Sequence, residues 1–292
     1  MAVQLRHLAL LTPGSYLPEA PRAGLDATLD LIAFAEQLGY DGAWVRHRHL
    51  EPGISSAAVF LAAASQHTHR IELGSAVVQL GYETPFRLAE DLSLLDALAG
   101  GRLQVGVSTG PPPYAELVGH LLFDGDPATI DFSHARVERL LDALRGGPLG
   151  TAEAEVGNAA TRYRPRLQPH APGLVNRVWY GAGSLQSAHE TGAQGLHLLL
   201  GNVNRAESSD DFFVAQLQHL QAYRAALRLD SPHRVAVGRV LVPTDGVDAA
   251  TRRRIAAFTA QRHARTLSPQ GPRRVMFAPD VVGTSAQVIA QL

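Results

Sequence analysis

The stretch that decides the fold runs from residue 71 to residue 107. It begins Ile71-Glu72-Leu73-Gly74-Ser75-Ala76-Val77-Val78 and ends Leu103-Gln104-Val105-Gly106-Val107. Between them Pro85 leads a segment with Leu88, Leu92 and Leu95 on a helical spacing, closed by Gly100-Gly101. The outer runs are apolar or β-branched along most of their length, the pattern of strands covered on both faces in a parallel sheet. Proline suits a helix's first turn and glycine its end. The unit is strand, helix, strand.

The same unit repeats outward in both directions. Upstream, His7 to Leu11 reads as a strand, and Leu25, Leu29, Ile32 and Ala35 carry a helix that stops at Gly39. Ala43-Trp44-Val45 is the second strand, and Ser55 or Ser56 caps a small-residue helix through Ala64. Downstream, Pro111-Pro112-Pro113 precedes a helix carrying Val137, Leu140, Leu141 and Leu144, and residues 145–174 look irregular. Strands follow at Val178 to Tyr180, His197 to Leu200 and Val235 to Val242, with helices at 184–194, 210–228 and 249–264. Repeated units of this kind make an α/β protein with a parallel sheet. A doubly wound sheet and a barrel both fit the periodicity, and the chain length favours a barrel in one domain over 1–292.

Composition narrows the chemistry. All 26 basic residues are Arg, and both Lys and Cys are absent. That excludes Schiff-base and PLP catalysis, a P-loop lysine, a thiolate nucleophile, Cys-ligated metals and disulfides. A net charge of -1 gives no electrostatic footprint for nucleic acid or an anionic membrane. Met1 to Leu8 lacks the basic-then-apolar plan of a signal peptide, and no apolar run reaches the roughly 18 residues of a span. A cytoplasmic protein is expected.

In parallel α/β folds ligands meet the carboxyl ends of strands. After the fifth strand stands Gly181-Ala182-Gly183-Ser184-Leu185-Gln186-Ser187, opening a helix. Glycine allows close backbone approach and free N–H groups favour an anion, so this is either a phosphate cradle or an ordinary serine-capped turn. After the second strand stands Arg46-His47-Arg48-His49, where alternation puts the two His on one side and the two Arg on the other. The His pair offers proton transfer or metal ligation, or simply structural pairing. No matching acid-rich His cluster is evident, so no metal is expected. Ser108-Thr109-Gly110 can shape a pocket rim, Arg87 with Glu90 or Asp91 reads as a helical ion pair, and Trp179 and Tyr180 read as core.

Several stretches taken together resemble the bacterial-luciferase-like family of flavin-dependent oxidoreductases and monooxygenases. They are Leu38-Gly39-Tyr40-Asp41-Gly42-Ala43-Trp44-Val45, Leu73-Gly74-Ser75-Ala76-Val77-Val78 and Pro85-Phe86-Arg87-Leu88-Ala89-Glu90-Asp91. Leu95-Asp96-Ala97-Leu98-Ala99-Gly100-Gly101-Arg102, the Gly183-Ser184 loop and Val282-Gly283-Thr284-Ser285-Ala286-Gln287-Val288 follow in order, and the Leu-Asp-x-x-Ala-Gly-Gly-Arg passage is the most specific. The resemblance implies a TIM-like (β/α)8 barrel. Its eighth strand is expected to be missing from this chain, whose C-terminus is then incomplete.

The resemblance further implies reduced FMN, supplied by a separate flavin reductase, reacting with oxygen and a small organic substrate in a homodimer. Gly183, Ser184 and Ser187 match the family's phosphate turn, and Thr109 falls where some members place an Arg. A non-prolyl cis peptide is expected at Ala76–Val77, which would place both residues against the cofactor. Where many members read Glu-His-His, this chain reads His47-Arg48-His49, so the acid/base role falls to His49 and anion stabilisation to Arg48. The alternatives are a deazaflavin-dependent dehydrogenase on the same fold and a non-catalytic flavin-binding subunit.

Overall fold

The apolar runs become strands because each finds parallel neighbours. The computed structural model describes residues 5–228 and 233–291, in two units, Met1–Tyr180 and Gly181–Leu292. The first unit holds β1 (Ala9–Thr12), β2 (Gly42–Val45), β3 (Glu72–Ser75), β4 (Val78–Gln79), β5 (Leu103–Ser108), β6 (Val156–Gly157), β7 (Arg162–Tyr163) and β8 (Val178–Gly181). Strands β1, β2, β3, β5 and β8 run side by side in that order, all parallel, with β4 also on β5. Helices α1 (Pro21–Gln37), α2 (Ala57–His67), α3 (Pro85–Leu98), α4 (Ala115–Leu122) and α5 (Ala135–Arg145) connect or flank them.

Local chemistry explains the helix ends. Ser56 caps α2 by accepting from the Val59 N–H at 3.3 Å. Pro85 opens α3, and Gly100 and Gly101, both at positive φ, close it. Leu88, Leu92 and Leu95 are buried, the face that the spacing predicted. Residues 71–78 read as one strand but form two, because β3 and β4 meet β5 at separate registers; the Ala76–Val77 peptide between them is cis. Within 145–174 the structure adds a small antiparallel hairpin, β6 with β7.

The motif around Arg102 is a structural clamp. Arg177 grips the buried Asp96 with both terminal nitrogens, at 2.7 and 2.8 Å, and Asp96 also accepts from the Leu103 N–H at 3.2 Å. Arg102 donates to the carbonyls of Ala99, Ile71, Ser65 and Thr68 and to the Thr68 hydroxyl. Two cations thus tie the end of α3 to the starts of β3 and β5.

Under the sheet Trp44 and Trp179 meet edge to face at 5.5 Å, and Trp179 donates to Gln104 at 2.7 Å. A Cβ at Gly74 would lie 2.2 Å from the Trp44 ring. Gly74→Ala is therefore expected to destabilise the protein by about 1–3 kcal/mol, the usual cost of overpacking. A urea midpoint unchanged from that of the parent would contradict this packing.

The second unit holds β9 (His197–Leu200), β10 (Val203–Arg205), β11 (Val235–Val237), β12 (Leu241–Pro243), β13 (Val275–Phe277) and β14 (Val281–Gly283). Its helices are α6 (Leu185–Ala193), α7 (Phe212–Ala226), α8 (Ala249–His263) and α9 (Ser285–Ala290). β9 pairs with β11 in parallel, β12 with β14 in parallel, and β10 with β13 antiparallel. Residues 235–242 read as one run, yet the first half pairs with β9 and the second with β14. Phe212, Ala215, Met276, Ala206 and Ala278 form a local core there.

Candidate active site

The first unit gathers a polar cluster at the carboxyl ends of β2 and β4. His47 and His49 leave β2 on one side, as alternation requires, with their rings 4.6 Å apart. Tyr82 stacks on His49 at 3.7 Å and an interplanar angle of 14°. His47 is 3% exposed, and neither of its ring nitrogens makes a hydrogen bond of ordinary geometry; His49 Nε2 makes none either. Burial pulls the His47 imidazole down to about 4, assisted by the charge of His49 and opposed by the Ser55 backbone. Burial lowers His49 as well.

Glu83 completes the cluster. One ligand atom from each of His47, His49 and Glu83 lies within 4.8 Å of the other two. Burial raises the Glu83 carboxyl, nearby Asp91 adds to the rise, and Arg136 opposes it. Arg136, itself buried, donates to the carbonyls of Leu80 and Glu83 and so holds the Leu80–Glu83 turn in place. Tyr82 donates its hydroxyl to the Pro113 carbonyl. A Cβ at Gly81 would come 2.5 Å from the Gly110 carbonyl oxygen, so the two loops approach closely only because residue 81 is glycine.

Arg48 takes a separate course. Its guanidinium lies 3.9 Å from Glu51 and is about a third exposed, while Arg46 senses the charges of both Arg48 and Glu51. Those three form a charged group distinct from the imidazole pair. Thr109 meets the buried Tyr180, with its hydroxyl 2.6 Å from the phenol and its N–H 3.2 Å away. Ala76 donates its N–H to the Val45 carbonyl at 2.8 Å, and the cis peptide joins it to Val77. Arg87 pairs with Glu90 and Asp91, and Trp179 and Tyr180 are buried, as the residues indicated.

The second unit carries the serine turn. Ser184 and Ser187 form a reciprocal capping box at the start of α6, each hydroxyl accepting the other's N–H, at 3.1 and 3.2 Å. The Leu185 N–H donates to the Glu207 carboxylate at 2.6 Å. Glu207 Oε2 also lies 3.4 Å from Nε2 of the buried His219, an imidazole that burial lowers and Glu207 raises. A Cβ at Gly183 would meet nothing within 4 Å, so the space over the turn is open. The α6 N-terminus thus has the chemistry for an oxyanion, since one is seated there. The residues fit a phosphate provided that Glu207 withdraws.

Sequence reasoning placed the His pair and the serine turn but not Glu83, Tyr82, Arg136 or Glu207. Tyr82 and Glu83 did carry a signal, because they follow a strand at its carboxyl end. Glu207 carried none.

The luciferase-like monooxygenase family model matches residues 5–292. A 4-hydroxyprotoasukamycin monooxygenase from Streptomyces nodosus subsp. asukaensis is 34% identical over 218 residues, covering 72% of this chain and 57% of that protein. The match therefore spans little more than half of that relative. The oxygenating constituent of 3,6-diketocamphane monooxygenase from Pseudomonas putida, in complex with FMN, has a TM-score of 0.61 at 15% identity, over 82% of this chain and 68% of that one. A coenzyme F420-dependent tetrahydromethanopterin reductase from Methanopyrus kandleri has a TM-score of 0.58 at 18% identity, over 88% and 75%. These likenesses establish the fold class, α/β of the TIM-like barrel type. With the family model matched over nearly the whole chain, the chain belongs to the luciferase-like monooxygenase family.

Proposed function

We propose that the chain is a flavin-dependent monooxygenase that uses reduced FMN and oxygen on a small organic substrate. The observation that carries this reading is the α6 turn, where an oxyanion already sits on a helix N-terminus beside two serine hydroxyls. The FMN complex among the structural neighbours supports the choice of cofactor. Bound reduced flavin supplies two electrons for the reaction with oxygen.

The chain supplies positioning and proton handling. Gly183, Ser184 and Ser187 would hold the phosphate of the cofactor. Ala76, Val77 and the Thr109 hydroxyl would supply its further contacts. His49 holds or moves a proton at Nε2, which has no protein partner, while Tyr82 fixes the plane of its ring. His47, neutral and buried, backs His49 without adding charge. Arg48 stabilises an anion once it leaves Glu51. A separate flavin reductase delivers the cofactor, and the protein works as a cytoplasmic homodimer. Among the described residues no helix is long and apolar enough to cross a membrane.

Anaerobic titration with reduced FMN and with reduced deazaflavin tests this reading, followed by mixing with oxygen and a panel of aldehydes, ketones and amines. Tighter binding of reduced FMN and oxygenated product are expected. Removing the resident carboxylate in Glu207→Ala should tighten FMN roughly two- to fivefold, the range of a charge at a helix end. A deazaflavin preference, or no flavin binding at high micromolar concentration, would overturn the proposal.

A further inference from the structure

We propose that His47, His49 and Glu83 form a binding site for a divalent transition-metal ion, with Zn2+ the probe suited to its two imidazoles and one carboxylate. The first support is the state of His47. It is 3% exposed, and although the Ser55 backbone acts on it, neither ring nitrogen makes a hydrogen bond of ordinary geometry. A buried polar group left without a full bond costs free energy, which an ion bound at the ring would recover. His49 Nε2, in the adjoining ring, is unpartnered too.

The second support is convergence. The three ligand atoms lie within 4.8 Å of one another. Zinc bonds of about 2.0–2.1 Å in a tetrahedral site place ligand atoms about 3.3 Å apart, so closure needs the ligand atoms to approach by at most roughly 1.5 Å. The set reaches the site from two segments that are independently fixed, β2 with its exit and the Leu80–Glu83 turn pinned by Arg136. Tyr82 holds the His49 ring plane. Two His and one carboxylate leave further positions open, the donor set of a catalytic zinc or non-haem metal centre.

The surrounding charges permit a cation. Arg46 and Arg48 associate with Glu51 and not with the imidazoles. Arg136 is the cation acting on Glu83, and its guanidinium donates to the two turn carbonyls. The site lies wholly within the first unit and needs no flavin, but a metal on His49 Nε2 occupies the atom that carries the proton in the proposed function, so the ion and that role exclude one another.

The test is titration of the metal-stripped full chain with Zn2+ by calorimetry, without flavin, and with Co2+ by visible absorption. One ion per chain is expected, and the Co2+ spectrum should show nitrogen and oxygen ligation. His49→Ala and Glu83→Gln should each weaken binding at least about thirtyfold, with far-UV circular dichroism unchanged; His47→Ala provides a third arm if it folds. The chain has 13 His, so adventitious binding is the competing outcome. Affinity unchanged in either His49→Ala or Glu83→Gln, or no binding that survives dialysis, would overturn the site.

Discussion

Replacing His49 with alanine is expected to lower turnover about 10²- to 10⁴-fold, the usual contribution of a positioned acid or base. The affinity for reduced FMN should change less than about threefold, because the phosphate turn at α6 is untouched. The expectation rests on three features of His49. Its Nε2 is buried and unpartnered, its ring is clamped against Tyr82, and the neighbouring imidazole is held neutral at a value of about 4. Single-turnover measurement after mixing with oxygen reads the chemical step apart from cofactor delivery. Exogenous imidazole should restore part of the loss. A variant that keeps turnover within a factor of about three would remove His49 from the reaction, and a parent without turnover on any substrate would favour a flavin-binding subunit.

The second large effect concerns stability. Asp96→Ala is expected to destabilise the chain by about 3–5 kcal/mol, the cost of breaking one partner out of a buried ion pair. Asp96 is 4% exposed and accepts both terminal nitrogens of Arg177. Truncation leaves the Arg177 charge facing only the carbonyls of Gly101 and Leu103 and frees the Leu103 N–H. Asp96→Asn keeps an acceptor for that N–H and should fall between parent and Ala. Urea unfolding measures both, with the slope unchanged if only the native state is affected. A loss below about 1 kcal/mol for the alanine variant would show that the clamp is not structural.

The Leu95-to-Arg102 passage was the most specific sequence signal, yet it lies in the joint between helix and sheet. Specificity of a motif reflects how many constraints one residue meets, and Arg102 meets five hydrogen bonds while touching none of the candidate site.

The sequence by itself determined the elements whose cause is local. Period and burial were legible in Leu88, Leu92 and Leu95, end signals in Ser55 or Ser56 and in Gly100 and Gly101, and the exit side of His47 and His49 in strand alternation. The serine turn could be located, though not its occupant. What tertiary structure decided depends on distant partners. The run at 71–78 splits because its halves meet β5 at different registers, and that at 235–242 because its halves pair with different strands, neither of which a local pattern encodes. Glu83, 34 positions beyond His49, joins the imidazoles only because the fold brings the turn after β4 to the exit of β2. Glu207, 22 positions beyond Leu185, takes the helix end only because the second unit folds it there. Hydrophobic period is set by a residue's own strand or helix, whereas a site is set by which chain ends the sheet brings together.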